Sequence, residues 1–152
     1  MNRKKVIIFI SLIMATGIGV YILHEIDFIP HDDFEASLRK AIRDKKSRDF
    51  NLSEITPFQW DRLYILPPYS DTRSMQNIDH IDIENVDNID ADEGSCLLVF
   101  VRNGKVVYQL RYNRLYGDFA QLYREEGYSA EEARFRVPKR DEYWLKIELI
   151  KK

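Results

Sequence analysis

The residues with the most obvious chemistry lie in one acidic stretch near the middle of the chain. Residues 71–94 hold eight acidic side chains against one arginine. The oxygens within 79–93 suit a calcium ion, which takes six to eight oxygen ligands. However, Asp90-Ala-Asp92-Glu-Gly94 lacks the spacing of acids, glycine and terminal glutamate that an EF-hand requires. We therefore predict a solvated acidic loop, with a calcium- or small-ligand-binding sensor at 79–93 as the alternative function.

Two further side chains, His80 and Cys96, are candidates for acid–base and nucleophilic catalysis. His80 lies between Asp79 and Asp82, but neighbours in sequence point to different sides of a strand or helix, so adjacency does not make a paired base. Cys96 begins an apolar run, where a lone cysteine is typically a small buried hydrophobe. An odd cysteine can also form an intermolecular disulfide. Because His-Glu-x-x-His and Gly-x-Ser-x-Gly are absent from the sequence, we predict no enzyme and no cofactor.

A second set of candidate residues is aromatic and cationic, which indicates recognition of a partner. Four aromatic side chains occur within residues 58–69, and nine basic residues face five acids within 102–140. Trp, Tyr and Arg are the residue types favoured at protein interfaces. The predicted partner-binding residues are Phe58, Trp60, Tyr64, Tyr69, Arg111 and Arg114. Burial in the core is the competing interpretation of the aromatic run, and it is the favoured one for Trp60.

The N-terminal end is typical of a membrane anchor. Residues 6–23 are 18 residues without a charge, and at 1.5 Å per residue they span about 27 Å, roughly a bilayer's hydrocarbon core. The positive-inside rule places basic residues 1–5 in the cytoplasm and the C-terminal domain outside. Residues 24–31 read as a stalk. The alternative is a signal peptide cleaved near Ala15 and Gly17, which would release a small secreted domain.

Composition limits the remaining classes of function. The chain has 152 residues, of which 45% are hydrophobic and 32% charged, as in one globular domain. Its 23 basic and 25 acidic residues give a net charge of −2, which is too balanced for non-specific binding of nucleic acid. The single cysteine excludes an internal disulfide and a multi-cysteine zinc site. The predicted partners are therefore the membrane and a second protein.

An amphipathic helix is predicted over residues 32–46. Asp32 and Asp33 offer an N-cap, and an apolar face recurs at helical spacing. That face consists of Phe34, Leu38, Ala41 and Ile42, and the basic outer face consists of Arg39, Lys40, Arg43, Lys45, Lys46 and Arg48. A solvated surface is the ordinary interpretation of such a charge run. A surface held against anionic lipid or an acidic partner near the membrane is the alternative.

A β-hairpin is the clearest structural signal. Apolar runs at 96–102 and 105–112 flank Asn103-Gly104, the sequence preferred in two-residue type I′ turns. Regular pairing then gives partners whose numbers sum to 207. Val101 would face Val106, Val99 would face Tyr108 and Leu97 would face Leu110, making that face of the hairpin apolar throughout.

Further alternating segments suggest the rest of the sheet. Strand composition recurs at 60–65, 133–137 and 143–150, and a short helix is predicted around 119–126. In the first of these strands, alternation would place Trp60 and Tyr64 on one face. The predicted fold class is α+β: a transmembrane helix, then a small antiparallel sheet of four to five strands with one main packed helix, in an extracytoplasmic domain over 32–152.

Two sequence motifs resemble those of a known class of protein. They are Pro57–Ile65 with Pro67-Pro68-Tyr69, and Leu97–Gly104 with Lys105-Val106-Val107. Together with the spacing to Gly117-Asp118-Phe119, they resemble small, uncharacterised bacterial envelope proteins that carry an N-terminal anchor or a lipid-modified cysteine. The similarity covers about residues 50–137, and this chain lacks the anchoring cysteine. The resemblance implies a bacterial envelope location and assigns neither an activity nor functional residues.

The sequence thus predicts a single-pass membrane protein with a cytoplasmic N-terminus. Its small extracytoplasmic domain would bind a protein of the cell envelope.

Overall fold

The computed structural model describes residues 31–70, 86–138 and 145–151. Its elements, in chain order, are helix α1 (His31–Arg43), strand β1 (Asp49–Asn51), helix α2 (Leu52–Ile55), and strands β2 (Arg62–Leu66), β3 (Ser95–Arg102), β4 (Lys105–Asn113), β5 (Tyr128–Ser129), β6 (Arg134–Arg136) and β7 (Glu148–Leu149). Two 3₁₀ turns, Arg114–Tyr116 and Ala120–Leu122, follow β4.

The predicted membrane anchor at 6–23 lies outside the described residues, as do residues 1–5 and the stalk up to residue 30. Within the described part of the chain, no helix is both long and apolar enough to cross a membrane.

Helix α1 forms close to where its periodicity predicts. Phe34, Leu38 and Ile42 are fully buried on its inner face, because residues at i, i+4 and i+8 share one side of a helix. The helix begins at His31 and ends at Arg43. Asp32 and Asp33 therefore lie in its first turn rather than at the N-cap, and the last three predicted residues are not helical.

The α+β class is confirmed, but the strands form two sheets rather than one. A four-stranded sheet has the order β4-β3-β2-β5, and a three-stranded sheet has the order β1-β6-β7. Every strand pair is antiparallel. The prediction of a single sheet of four to five strands is wrong because β1 was not recognised. That strand pairs with β6, and β6 also pairs with β7. These three strands therefore form a sheet separate from the one that contains the hairpin.

The hairpin turn has the predicted geometry. Asn103 and Gly104 have φ values of 51° and 75°, and two consecutive positive φ values define the type I′ turn. Next to the turn, Val101 pairs with Val106 as predicted.

Beyond this first pair, the predicted register is wrong. The pairing shifts between Phe100 and Val101, so that Phe100 faces Tyr108 and Leu98 faces Leu110. Val107 is the extra residue of a β-bulge, and one extra residue exchanges the faces of all that follow. As a result, Tyr108 and Leu110 join the side of the sheet that carries Phe100.

This exchange builds an aromatic core between α1 and the four-stranded sheet. The Phe34 ring meets Phe58, Phe100 and Tyr108 edge-on, with centroid distances of 5.4–5.7 Å, the arrangement that aromatic pairs prefer. The opposite side of the sheet has its own buried cluster, to which β3 contributes alternate residues. Both faces of β3 are therefore buried.

The C-terminal third has less regular structure than predicted. The helix expected around 119–126 is only the 3₁₀ turn Ala120–Leu122. Ser129 and Glu132 form the reciprocal hydrogen bonds of a capping box, with Ser129 N donating to Glu132 Oε2 at 2.9 Å, and these bonds close a turn without starting a helix. Of the strand predicted at 143–150, only β7 and a bridge between Asp118 and Lys146 are seen among the described residues.

Candidate functional site

The structure divides the six predicted partner-binding residues between core and surface. Trp60 and Tyr64 are buried, with exposed fractions of 8% and 7%. Trp60 packs in the aromatic core and its indole Nε1 donates to Thr56 Oγ1 at 2.9 Å, which confirms the preference for burial of this residue. Tyr64 lies in the cluster on the other side of the sheet. The prediction that the two share a face is wrong, because strand alternation begins only at Arg62.

Phe58 and Trp60 border a small open cleft at the edge of the core. The cleft has a volume of about 340 Å³. Its lining consists of Ser53, Thr56, Phe58, Gln59, Trp60, Asp61 and Arg102. Since the Phe58 ring packs on Tyr108 and the Trp60 indole already has an acceptor, both residues serve mainly to hold the core.

Tyr69 is the exposed aromatic residue of the set. It follows Pro67 and Pro68 in a tight turn in which Ser70 N donates to Pro67 O at 3.3 Å. Its ring is 60% exposed, and its φ is 62°. That φ belongs to the third position of a type II turn, which usually holds glycine. The Tyr69 N–H donates to Ile89 O at 3.2 Å, which fixes the turn against the 86–94 loop.

Arg111 and Arg114 bind the same loop. Arg111 Nη2 donates to Asn88 O at 2.8 Å and Arg114 Nη1 donates to Glu93 O at 3.0 Å. Arg111 also pairs with Asp92, Nη1 to Oδ2, at 3.4 Å. Three of the six predicted residues therefore meet around one loop. We call this surface the Tyr69 patch; it comprises Tyr69, Asn88, Asp92, Glu93, Arg111 and Arg114.

The surroundings of the Tyr69 patch shift the pKa values of two of its side chains, Asp92 and Tyr69. The pKa of Asp92 is lowered by its hydrogen bonds to Ser95 and to the Gly94 N–H and by the charge of Arg111. Partial desolvation and a hydrogen bond to Glu93 raise the pKa of the Tyr69 phenol. At neutral pH Tyr69 therefore presents a neutral phenol that is hydrogen-bonded to Glu93.

Metal binding has limited support in the described part of the acidic stretch. No group of three or more His, Cys, Asp or Glu side chains is placed to hold a metal ion among the described residues. Asp92 Oδ1 accepts from Gly94 N and Asn88 Oδ1 accepts from Asp90 N, so these side chains shape the loop. Residues 79–85, including His80, lie outside the described residues, and the sensor at 79–93 remains a prediction.

Cys96 is a core residue. Its side chain is fully buried in β3, as predicted for a lone cysteine in an apolar strand. Burial raises the pKa of the thiol to about 12, so at neutral pH it is a protonated thiol without nucleophilic character. In the native fold this sulfur is out of reach of a second chain, which argues against the intermolecular disulfide.

Sequence reasoning missed the acidic partner of Arg114. Asp118 is buried and accepts two hydrogen bonds from this guanidinium. A signal was available, since opposite charges four residues apart form pairs on a helical turn.

Comparison with known proteins found no family model, no curated protein and no solved structure that matches the chain.

Proposed function

We propose that the chain is a single-pass membrane protein of the bacterial envelope whose extracytoplasmic α+β domain binds a protein partner without catalysis. The uncharged run at 6–23 after a basic N-terminus supports the anchor. The Tyr69 patch supports the binding role, and one observation carries it: an exposed tyrosine is held at positive φ beside two fixed arginines.

The left-handed conformation of Tyr69 has an energetic cost, although its N–H and its phenol both bond to the 86–94 loop. A non-glycine residue in the left-handed region costs about 1 kcal/mol or more. The ring gains little packing in return, since most of it faces solvent. Glycine would occupy this turn position without strain. A strained turn that exposes an aromatic ring fits a residue kept for contact with another molecule.

Arg111 is the second feature of the patch that favours binding of a partner. Its side chain is 45% exposed, yet the guanidinium is anchored at Asn88 O and Asp92. A fixed side chain loses less conformational entropy on binding than a free one. Arginine also offers several donors in one plane to carboxylate or carbonyl oxygens. The patch therefore suits a partner surface with an apolar recess for Tyr69 and nearby acceptor oxygens.

Site-specific photocrosslinking in intact cells tests this proposal. A photoreactive phenylalanine analogue at position 69 is expected to capture a discrete protein that a C-terminal tag recovers. The matched control is position 123, where the native tyrosine is 53% exposed and lies outside the patch. A partner captured equally from both positions, or from neither, would contradict docking through the Tyr69 patch.

The intact mass of the purified chain tests the anchor separately. A chain that retains residues 1–23 and fractionates with membranes supports the anchored form. Loss of the first 17 or so residues would instead support the secreted alternative. Protease accessibility of the domain in spheroplasts tests the extracytoplasmic placement, which requires digestion without permeabilisation.

A further inference from the structure

We infer that Lys40, Lys45 and Lys46 form a surface that binds the anionic lipid headgroups of the membrane that holds the chain. This inference rests on the membrane anchor proposed above and is independent of the Tyr69 patch. We call these three residues the lysine surface.

The three lysines carry charge that the described fold does not use. All three are exposed, and none has an ion-pair partner among the described residues. Neighbouring arginines differ in this respect. Arg39 pairs with Glu35 and lies 3.7 Å above the Tyr116 ring centroid, and Arg48 Nη1 donates to Pro138 O at 2.7 Å.

Interaction with the helix dipole explains the position of only one of these three lysines. Basic side chains near the C-terminus of a helix interact favourably with its dipole, within the last turn. Lys40 lies in the last turn of α1, which ends at Arg43. Lys45 and Lys46 come after the helix and gain little from the dipole. The helix dipole therefore does not account for Lys45 and Lys46.

The tether keeps the lysine surface close to the membrane. Seven residues, 24–30, separate the end of the apolar run from α1, and the eight steps from residue 23 to 31 reach at most about 29 Å. Helix α1 adds about 20 Å. A domain confined within this distance meets the bilayer repeatedly, at an effective concentration in the millimolar range.

The charge of the lysine surface then determines how long the domain stays at the bilayer. Each lysine near an anionic bilayer surface contributes about a five-fold preference for the bound position, so three contribute about a hundred-fold. Lysine ammonium groups are mobile, strongly hydrated point charges. They suit a fluid layer of headgroups better than a shaped pocket on an acidic protein, and lipid is the partner that the tether supplies in every copy.

Quenching of a single fluorophore beside the lysine surface tests this inference. Ser47 is exposed, and Ser47→Cys can be labelled selectively because Cys96 is fully buried. The labelled full-length chain is reconstituted in phosphatidylcholine vesicles with or without a quarter of phosphatidylglycerol, with a spin label on a headgroup as quencher. We expect at least three-fold stronger quenching with the anionic lipid, and loss of this difference at 0.5 M salt, where screening shortens to about 4 Å.

Two charge-reversal pairs make the test specific. Lys45→Glu with Lys46→Glu should abolish the difference between the two lipid mixtures. The matched pair, Lys105→Glu with Lys151→Glu, changes two exposed lysines elsewhere by the same total charge and should leave the difference intact.

Each contrary result has a separate meaning. Equal quenching in both vesicle types, or equal effects of the two variant pairs, would overturn the lysine surface. Quenching seen only in native membranes would assign the surface to an acidic protein and also overturn the lipid assignment. A chain that fails to float with neutral vesicles would contradict the anchor, whereas a chain that floats without differential quenching contradicts this inference alone.

Discussion

Arg114 holds Asp118 through two parallel hydrogen bonds of 2.9 Å, from Nε to Oδ1 and from Nη2 to Oδ2. The same guanidinium donates to Glu93 O, and the Asp118 backbone exchanges hydrogen bonds with Leu145 and Ile147. One largely buried ion pair therefore connects the Tyr69 patch to the segment that leads into β7.

Removal of the charge on Asp118 should be costly. Asp118→Asn removes the carboxylate that accepts both hydrogen bonds of Arg114, in a site where the Asp118 and Arg114 side chains are only 7% and 19% exposed, and breaking a buried pair costs about 3 kcal/mol or more. Asp49→Asn is the control, because the Asp49–Arg136 pair is about half exposed and surface pairs contribute about 0–1 kcal/mol. Urea unfolding measures both. Similar losses in the two variants would show that Asp118 is not a structural link.

Gly127 should not tolerate a side chain. Its φ is 64°, and a Cβ at this position would lie 2.7 Å from Leu63 O and 2.9 Å from the Tyr64 ring. Strain and this backbone clash should lower the free energy of unfolding of Gly127→Ala by about 2–3 kcal/mol. Gly94→Ala meets its nearest atom at 3.5 Å and should change stability by less than about 0.5 kcal/mol. A loss at 127 no larger than at 94 would contradict the close approach of β2.

Tyr69→Asn should separate stability from binding. Asparagine tolerates positive φ better than tyrosine and is accepted at this turn position. The variant should unfold at an unchanged free energy, or one about 0.5 kcal/mol higher, while recovery of the crosslinked partner is lost. Tyr123→Asn, on an exposed residue at φ −58°, should affect neither property. A loss of more than about 1 kcal/mol at position 69 would mean that the tyrosine serves the fold.

The buried Cys96 thiol should give a pH dependence. Its pKa rises from the ordinary range to about 12 on folding, so its contribution is complete below the unfolded pKa, near 8.5, and declines as the pH rises toward 12. The free energy of unfolding should fall by up to about 1.4 kcal/mol per pH unit above that value. Comparison of the wild type with Cys96→Ala between pH 8.5 and 10 isolates this slope, because both chains share the same tyrosines and their titration cancels in the difference. Identical slopes would contradict it.

The same thiol also reports on folding by its reactivity. At pH 8 a disulfide reagent should leave the native chain unmodified and modify it stoichiometrically in urea. Rapid modification of the native chain would mean that β3 opens.

Local signals predicted α1 and the hairpin turn, since three buried residues at helical spacing and Asn103-Gly104 each act within a few residues. The bulge was not predictable by the same reasoning. Val107 is apolar and fits either face of β4, so only packing against the rest of the core decides which residue is extra. Strand β1, with the sequence Asp49-Phe50-Asn51, carries little strand signal. It is a strand because β6 lies beside it, a tertiary cause that no local pattern contains.

The candidate site was likewise predictable only in part from the sequence. The Arg111–Asp92 pair joins the acidic stretch 71–94 to the basic stretch 102–140, a pairing that the counts of charged residues do not specify. Of the six residues chosen by type, Tyr69, Arg111 and Arg114 lie around one loop, whereas Trp60 and Tyr64 are buried. The positive φ of Tyr69 has no signature in sequence, because glycine would be the expected residue there.

The pairing of β1 with β6 also limits how early β1 can join a sheet during synthesis. Asp49 lies opposite Arg136, 87 residues further along the chain, and a ribosome adding about 5–20 residues per second needs roughly 4–17 s to supply that partner. Until then β1 is an unpaired edge, while the hairpin can already close on itself. The contact between β1 and β6 thus forms later than the hairpin, between two segments that the ribosome supplies several seconds apart.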